Sequence, residues 1–418
     1  MKKQISIVVL MLVTIAACHL KSNKNQNIWM HHQSRKTKVE IPGKTPGDAP
    51  FKKSKYNIVF TGRYANYTKA DTWYPSWASD DHLYSPWTDG SIGADGSFSG
   101  GPDAKTGHAK IEGDNPLDLK ITNLGVIAAK PEPYHGRYPC GSLVYNGIWY
   151  YGTYTLTNSD YEANWPVLGP FAGFRVSYDL GKSWVKSPAS CFPGQTLFPE
   201  PDSIGGPLKI GAPHFVDFGK NMEHSPDGYA YLISHGATEP DKEDRIANLS
   251  WITGDHIYLS RVKPSPETIN NEEAYDYFAG HDEEGNAIWS SDYSKIIPLV
   301  DWDNNTGCVT MTYNAPLKKY FMCVTNGWPT IKTMNTYILE SDNLTGPFII
   351  TNYWEKFGPQ AYFVNIPSKF ISKDGRTMWL CYSGNFTNGE QRNTEDFVNS
   401  TTPPGSAYSL SLHEIAIK

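Results

Sequence analysis

Ser177-Tyr178-Asp179-Leu180-Gly181-Lys182-Ser183-Trp184 spells S-x-D-x-G-x-x-W. These residue types describe a tight turn between two antiparallel strands. Asp179 can bond the turn's own backbone, Gly181 can take φ > 0, and Trp184 can cover the turn from the strand that follows. Such a turn needs a strand on either side, so the stretch sets an all-β frame around itself. It carries no reaction. The chemistry has to come from loops elsewhere.

Outward from that turn, the composition agrees. The chain of 418 residues holds 36 Gly and 30 Pro, and aromatics make up 13% of it, with 26 Tyr and 13 Trp. Short strands joined by frequent turns use residues in such proportions. Aromatic faces also stack on the C–H faces of pyranose rings, although most aromatic side chains serve packing. A formal net charge of −6 leaves no basic footprint, which argues against a nucleic-acid partner.

Strand-like segments recur in sets of four at a spacing of roughly 60–75 residues, which fits propeller blades better than a sandwich. Asn146-Gly147 is a strong two-residue hairpin signal inside the second set. The last set lacks an outer strand, which Asn57–Phe60 can supply to close the ring. The expectation is a five-bladed all-β propeller over residues 56–418. The turn at 177–184 resembles the Asp-box of sialidase-type propellers, and that resemblance implies an architectural place on the outer rim. Long loops on such a scaffold, here Asp89–Gly107, Thr157–Ala172, Gly236–Gly254 and Asn385–Gly405, are where function is expected.

Lys2 and Lys3 precede an apolar run from Ile5 to Ala17, too short to span a bilayer. The run ends in Ile15-Ala16-Ala17-Cys18, which resembles a bacterial lipobox and implies signal removal with lipid on Cys18. Residues 1–18 therefore read as a lipoprotein signal peptide and the polar residues 19–55 as a flexible tether. An exported lipoprotein, on the outer membrane or periplasmic face, is expected. The other cysteines, Cys140, Cys191, Cys308, Cys323 and Cys381, are odd in number and irregular in spacing. They read as buried small hydrophobes, not as a disulfide framework.

In a five-bladed propeller the pocket lies at one end of the channel, walled by the starts of the innermost strands and the loops between second and third strands. That geometry selects Asp71, Trp73 and Asp89 in the first blade, and Arg137 and Tyr138 in the second. It selects His214, His235, Arg245 and Trp251 in the third blade, Trp328 and Lys332 in the fourth, and Asn365 in the fifth. Arabinanase-type and xylosidase-type propellers place an acidic residue at the inner strand of each of the first three blades. Here the second and third read Arg137-Tyr138 and Pro213-His214, so that triad does not map, although Asp71, Asp89 and Asp303 can still converge as acid and base.

Arg, Tyr and His around one pocket suit β-elimination beside a uronic acid. Arg137 would clamp the carboxylate and stabilise the enolate-like intermediate. His214, with a pKa near neutrality, would move the proton, and Tyr138 would donate to the leaving oxygen or act as base, with His235 close to the same site. The plain alternatives are a His214 that bonds a neighbouring strand, an Arg137 paired with a structural Asp, and a Trp73 that belongs to the core. The loop from Asp89 to Gly96 is a candidate for Ca²⁺ held through oxygens, but it lacks the ligand spacing of an EF-hand.

Asp71–Gly90 (DTWYPSWASDDHLYSPWTDG), Tyr138–Thr155 (YPCGSLVYNGIWYYGTYT) and Gly358–Phe386, with FGPQAYFVNIPSKF inside it, resemble exported propeller proteins of polysaccharide-degrading microbes. Within that group the chain is similar to L-rhamnose–α-1,4-glucuronate lyases. The resemblance implies release of terminal rhamnose from arabinogalactan side chains, with a His as acid/base matched to His214. Three readings result. The first is a polysaccharide lyase, monomeric and acting on a uronate-containing glycan; the second is a glycoside hydrolase using Asp71 and Asp89. The third is a non-catalytic surface glycan-binding lipoprotein.

Overall fold

The computed structural model describes residues 31–37, 39–41, 43–131, 134, 136–157, 167–185, 196–199, 210–236, 251–327, 334–357, 362–384 and 403–418. Its local rules are visible at Asn146 and Gly147. Both have positive φ, 50° and 78°, and they close a two-residue hairpin between strands Gly136–Tyr145 and Ile148–Thr157. That turn twists with the strands it joins. A third strand, Val167–Ser177, pairs with the second, and Val185 bridges back to Val176.

Between Val176 and Val185 the 177–184 turn is closed by its own side chains. Gly181 N donates to Ser177 Oγ at 2.7 Å, while Ser183 N and Oγ donate to the Asp179 carboxylate at 2.8 and 2.6 Å. Gly181 has φ 94°. Trp184 lies 5.2 Å from the Trp149 ring and 5.5 Å from the Tyr151 ring.

Four more antiparallel sheets follow the same plan, so the fold is a five-bladed propeller. Blade I contains Lys69–Asp71 and Ser76–Trp77 innermost, then Leu83–Ile92, Lys105–Glu112 and Lys120–Ala128. Blade II is the sheet just described. Blade III runs His214–Phe215, Ala230–Gly236, Gly254–Val262 and Tyr275–His281, with Ala287–Ser290 at its edge and Val300–Thr306 paired to its third strand. Blade IV is Val309–Asn314, Lys319–Asn326, Asn335–Ser341 and Ile349–Trp354. Blade V is Tyr362–Asn365, Thr377–Ser383 and Ser411–Ile417, and its next strand is Ile58–Asn66. Ile58 pairs with Ile417, so strands from both ends of the chain share this sheet and close the ring.

Hydrogen bonds stitch each blade to the next near the axis. Val144 N donates to Ser76 Oγ (2.8 Å), Gly141 N to Pro213 O (2.9 Å) and Asp217 N to Met311 O (2.9 Å). Thr310 Oγ1 donates to Val364 O (2.8 Å), and Asn365 Nδ2 to Trp73 O (2.8 Å). The approach at Gly141 needs glycine, since a Cβ there would stand 2.8 Å from Pro213 O. Apolar side chains fill the spaces between blades. One cluster around Val309, Leu259 and Tyr337 joins blades III and IV, and another around Trp87, Leu412 and Trp379 joins blades V and I. Each fully buried Leu- or Phe-sized side chain contributes about 2 kcal/mol.

Two stretches differ from the sequence reading. The segment from Asp89 to Gly107, expected as a long loop, continues strand Leu83–Ile92 and folds back as the short strand Asp95–Ser97. The cause is local pairing of Gly90 with Ser97 and Ile92 with Asp95. Within the stretch expected as a tether, His31–Gln33 pairs with Tyr64–Asn66, and Ser54 N donates to Ile350 O at 2.8 Å. Among the described residues the helical segments are short 3₁₀ turns.

Candidate active site

A cavity is lined by residues of all five innermost strands, including Ser76, Gly141, His214, Thr310 and Asn365. Blade I contributes two carboxyl-bearing residues that one phenol of blade V joins, and neither lines this cavity. Asp71 lies opposite Thr88 across the sheet, and Asp89 is the next residue. Asp89 has φ 46°, an irregular point inside strand Leu83–Ile92.

The two carboxyl groups differ in surroundings. Asp71 Oδ1 accepts from Thr72 Oγ1 at 2.7 Å and Oδ2 from Tyr408 OH at 2.8 Å. Asp89 Oδ1 accepts from Ser99 N at 2.5 Å, and Thr88 Oγ1 lies 3.5 Å away. Burial of the Asp89 carboxyl outweighs these hydrogen bonds and pushes its pKa up to about 6. Tyr408 OH also lies 2.7 Å from the Asp89 carbonyl, so one phenol from blade V holds both residues.

Tyr138 stands beside the pair. Burial first, then the charges of Asp89 and Asp71, raise its phenol above the ordinary tyrosine range. It therefore stays O–H near neutrality: the expected role as base is corrected, and a role as hydrogen-bond donor is left. Tyr154 packs 5.6 Å from Tyr138 and also feels Asp71.

His214 lies in the wall of the cavity. Its ring centroid is 4.1 Å from that of Tyr74, and its Nε2 is 3.8 Å from Cys308 Sγ. Burial, and then His235 nearby, push its pKa down to about 3. The expectation of a pKa near neutrality is corrected on that ground: a desolvated imidazole beside a second imidazole stays neutral and is a weak base. His235 itself is fully buried on strand Ala230–Gly236, opposite Ile257.

The remaining sequence candidates divide. Arg137 is buried at the start of blade II, where its N donates to Ser99 O at 3.0 Å, so it is tied to the loop that holds Asp89. Asn365 faces the cavity, but its Nδ2 donates to Trp73 O and Phe363 O, stitching blade V to blade I. Trp251 is buried and stacks on Phe363 at 5.3 Å. Trp73, selected for the pocket wall with a core residue as its plain alternative, is buried between blades I and V with Nε1 donating to Ala70 O, so its face is closed to a ligand. Asp303 is exposed on the added strand of blade III. Arg245, Trp328, Lys332, Cys191 and the lipobox Cys18 lie outside the described residues.

Sequence reasoning passed over Tyr408, Tyr154 and Thr72. Thr72 adjoins Asp71 and could have been read as its partner; Tyr408 lies 337 residues away, and only ring closure brings it in. In the expected Ca²⁺ loop, Asp89 is occupied by Ser99 and Asp95 Oδ2 accepts from Asn123 Nδ2 at 2.5 Å. The described residues hold no cluster of three metal-ligating side chains. Cys140, Cys308, Cys323 and Cys381 are free and buried, as small hydrophobes would be.

No family model matches the chain, and no curated protein matches it in sequence. Solved structures do align. A GH43_1 enzyme from Xanthomonas citri is 14% identical over 84% of this chain and 88% of its own, with a TM-score of 0.43. The catalytic domain of a Coprinopsis cinerea GH62 α-L-arabinofuranosidase is 9% identical, covering 83% and 91%, with a TM-score of 0.41. An exo-1,5-α-L-arabinanase from a bovine ruminal metagenomic library is 10% identical, covering 84% and 94%, with a TM-score of 0.40.

Proposed function

We propose that this protein hydrolyses a glycosidic bond of an extracellular glycan, with Asp89 as general acid and Asp71 as the partner carboxylate. The observation that carries the reading is the pair itself. Two carboxyl groups from adjacent strands act on one phenol, and one of them is pushed up to about 6. Glycoside hydrolysis needs such a split: a carboxylic acid that protonates the leaving oxygen and a carboxylate that serves water or the sugar carbon. Asp89 would give its proton to the glycosidic oxygen as the C–O bond breaks. Asp71, which accepts from Thr72 and Tyr408, would take the second role.

Elimination beside a uronate is less well supported by this geometry. It asks for a base, and His214 is buried with a pKa of about 3 while Tyr138 holds its proton. The test is incubation of the soluble part with arabinogalactan, arabinan, xylan and other glycans, following free sugar and the ultraviolet absorbance of an unsaturated uronate together. Sugar release without absorbance supports hydrolysis. Absorbance rising with release would overturn it in favour of the lyase, and binding with neither signal would leave a glycan-binding protein.

Export belongs to the same proposal. It is supported by Lys2-Lys3, the apolar run and Ile15-Ala16-Ala17-Cys18. Incorporation of labelled palmitate by the wild type, and its loss in Cys18→Ser, checks the anchor.

A further inference from the structure

Phe98 is 67% exposed, the most exposed large hydrophobic side chain among the described residues. Single exposed apolar residues are ordinary. What sets this one apart from Ile288 and Ile297, out on blade III, is where it stands and how firmly it is held. Ser97 and Ser99, on either side, are buried, while Phe98 just past the end of strand Asp95–Ser97 faces solvent. Ser97 Oγ donates to Lys105 O at 2.7 Å, and Lys105 N donates to Phe98 O at 2.8 Å. Ser99 lies 2.6 Å from Thr88 Oγ1 through its hydroxyl, donates its N–H to Asp89, and accepts from Arg137 N. The backbone that carries the ring is thus the backbone that carries the acid.

Gly100 fixes the relation to the second aromatic. A Cβ added there would stand 3.0 Å from Phe98 Cε1 and 3.6 Å from Tyr138 Oη. The Phe98 ring and the Tyr138 hydroxyl therefore flank one glycine at the junction of blades I and II, where Gly100 bridges Gly136. An apolar face rigidly presented beside a hydrogen-bond donor fits one kind of ligand: a pyranose ring, with C–H bonds on one face and hydroxyls at its edge. The electron-rich ring face attracts those C–H groups, and the fixed backbone spares the cost of ordering a loop.

We infer that Phe98 is a stacking platform for a pyranose unit of the glycan, next to the sugar whose bond Asp89 protonates, with the Tyr138 hydroxyl at the edge of the same subsite. This rests on the hydrolase reading for its neighbour but not for its own test. Phe98→Ala and Phe98→Tyr are made in the wild type and in Asp89→Asn, and each is titrated calorimetrically with xylotriose, mannotriose and a rhamnosyl-glucuronate disaccharide. Phe98→Ala is expected to weaken binding of the recognised sugar about tenfold or more in both backgrounds, with Phe98→Tyr restoring most of it. In the active background KM rises while kcat changes little. Binding by Phe98→Ala within about twofold of its parent, or no binding of any of these sugars by the wild type, overturns the inference. If Phe98→Ala loses affinity while Asp89→Asn keeps full turnover, the platform stands and the acid assignment falls.

Discussion

Tyr408 on the approach to the last strand of blade V donates to Asp71 on the first strand of blade I, 2.8 Å from phenol oxygen to Oδ2, and the same oxygen lies 2.7 Å from the Asp89 carbonyl. One phenol has one proton, so the two acceptors share it. The contact exists only because the ring closes. It makes the spacing of the two aspartates depend on a residue from the far end of the chain. Tyr408→Phe keeps the ring and removes the donor. The expected result is a fall in kcat of about tenfold to a hundredfold with stability reduced by about 1 kcal/mol, measured by initial rates and by urea unfolding. Unchanged kcat would show that the phenol does not position the pair.

Asp89 makes a prediction about pH. Its pKa of about 6 means that the acid form is present below that pH and disappears above it. Turnover should therefore decline as pH rises through about 6, and Asp89→Asn should lose this limb together with at least about a hundredfold in kcat. Stability moves the same way. The folded pKa lies above the unfolded one, so the native state binds more protons, and stability present at low pH is lost as pH rises through about 6. Asp89→Asn does not ionise, so at pH 8 it is expected to be more stable than the wild type by urea unfolding, a trade of stability for activity. A variant of equal or lower stability at that pH would count against a strained, desolvated carboxyl.

What could be read in the sequence follows the range of the interactions. The hairpin at Asn146-Gly147 and the closed turn at 177–184 are local, so residue type alone announces them; the closing strand after Asn57 is legible only because the last blade lacks an outer strand. Asp71 and Asp89 are both legible because the sequence reading puts them just before and just after the strands of one blade, although Asp71 ends strand Lys69–Asp71 and Asp89 lies inside Leu83–Ile92. Their difference was not legible, because it is set by burial and by Ser99, and burial depends on the packed ring. His214 shows the same limit from the other side. Its position at the channel was readable from the order of strands, but its depressed pKa comes from Tyr74, Cys308 and His235 closing around it. Trp73 leaves the pocket wall and the core both open in the sequence, since a single aromatic carries no mark that says whether a neighbouring blade covers it; here blade V does.

Gly181 separates architecture from chemistry. Its φ of 94° suits glycine, and a Cβ would stand 3.0 Å from both His108 Cδ2 and Trp149 Cζ3. The turn lies at the end of blade II remote from Gly136–Tyr138, because Ser177 pairs with Trp149 and Trp149 with Val144. Gly181→Ala is expected to cost about 1–2 kcal/mol from backbone strain alone, read as a lower midpoint in urea. The kinetic constants of the folded protein should not move. A change in kcat would place the turn in contact with the site.

His413 gives the last prediction, one independent of any activity. Its ring stacks between Tyr64 at 5.5 Å and Tyr382 at 5.0 Å, and burial pushes its pKa down to about 3. The folded value lies below the unfolded one, so the unfolded chain binds the extra proton. Stability is then complete above about pH 6.5 and falls as pH drops towards 3. At pH 5 the loss from this one group is about 2 kcal/mol. His214, and His108 with its pKa pushed down to about 4, act in the same direction, so the wild type should weaken steeply between pH 7 and pH 5. His413→Gln has no ring to protonate. It starts less stable at pH 7 because the stack is broken, yet it should lose about 2 kcal/mol less than the wild type over that interval. Urea unfolding of both proteins at the two pH values decides it, and parallel losses would mean that His413 is already protonated, or already solvated, in the native propeller.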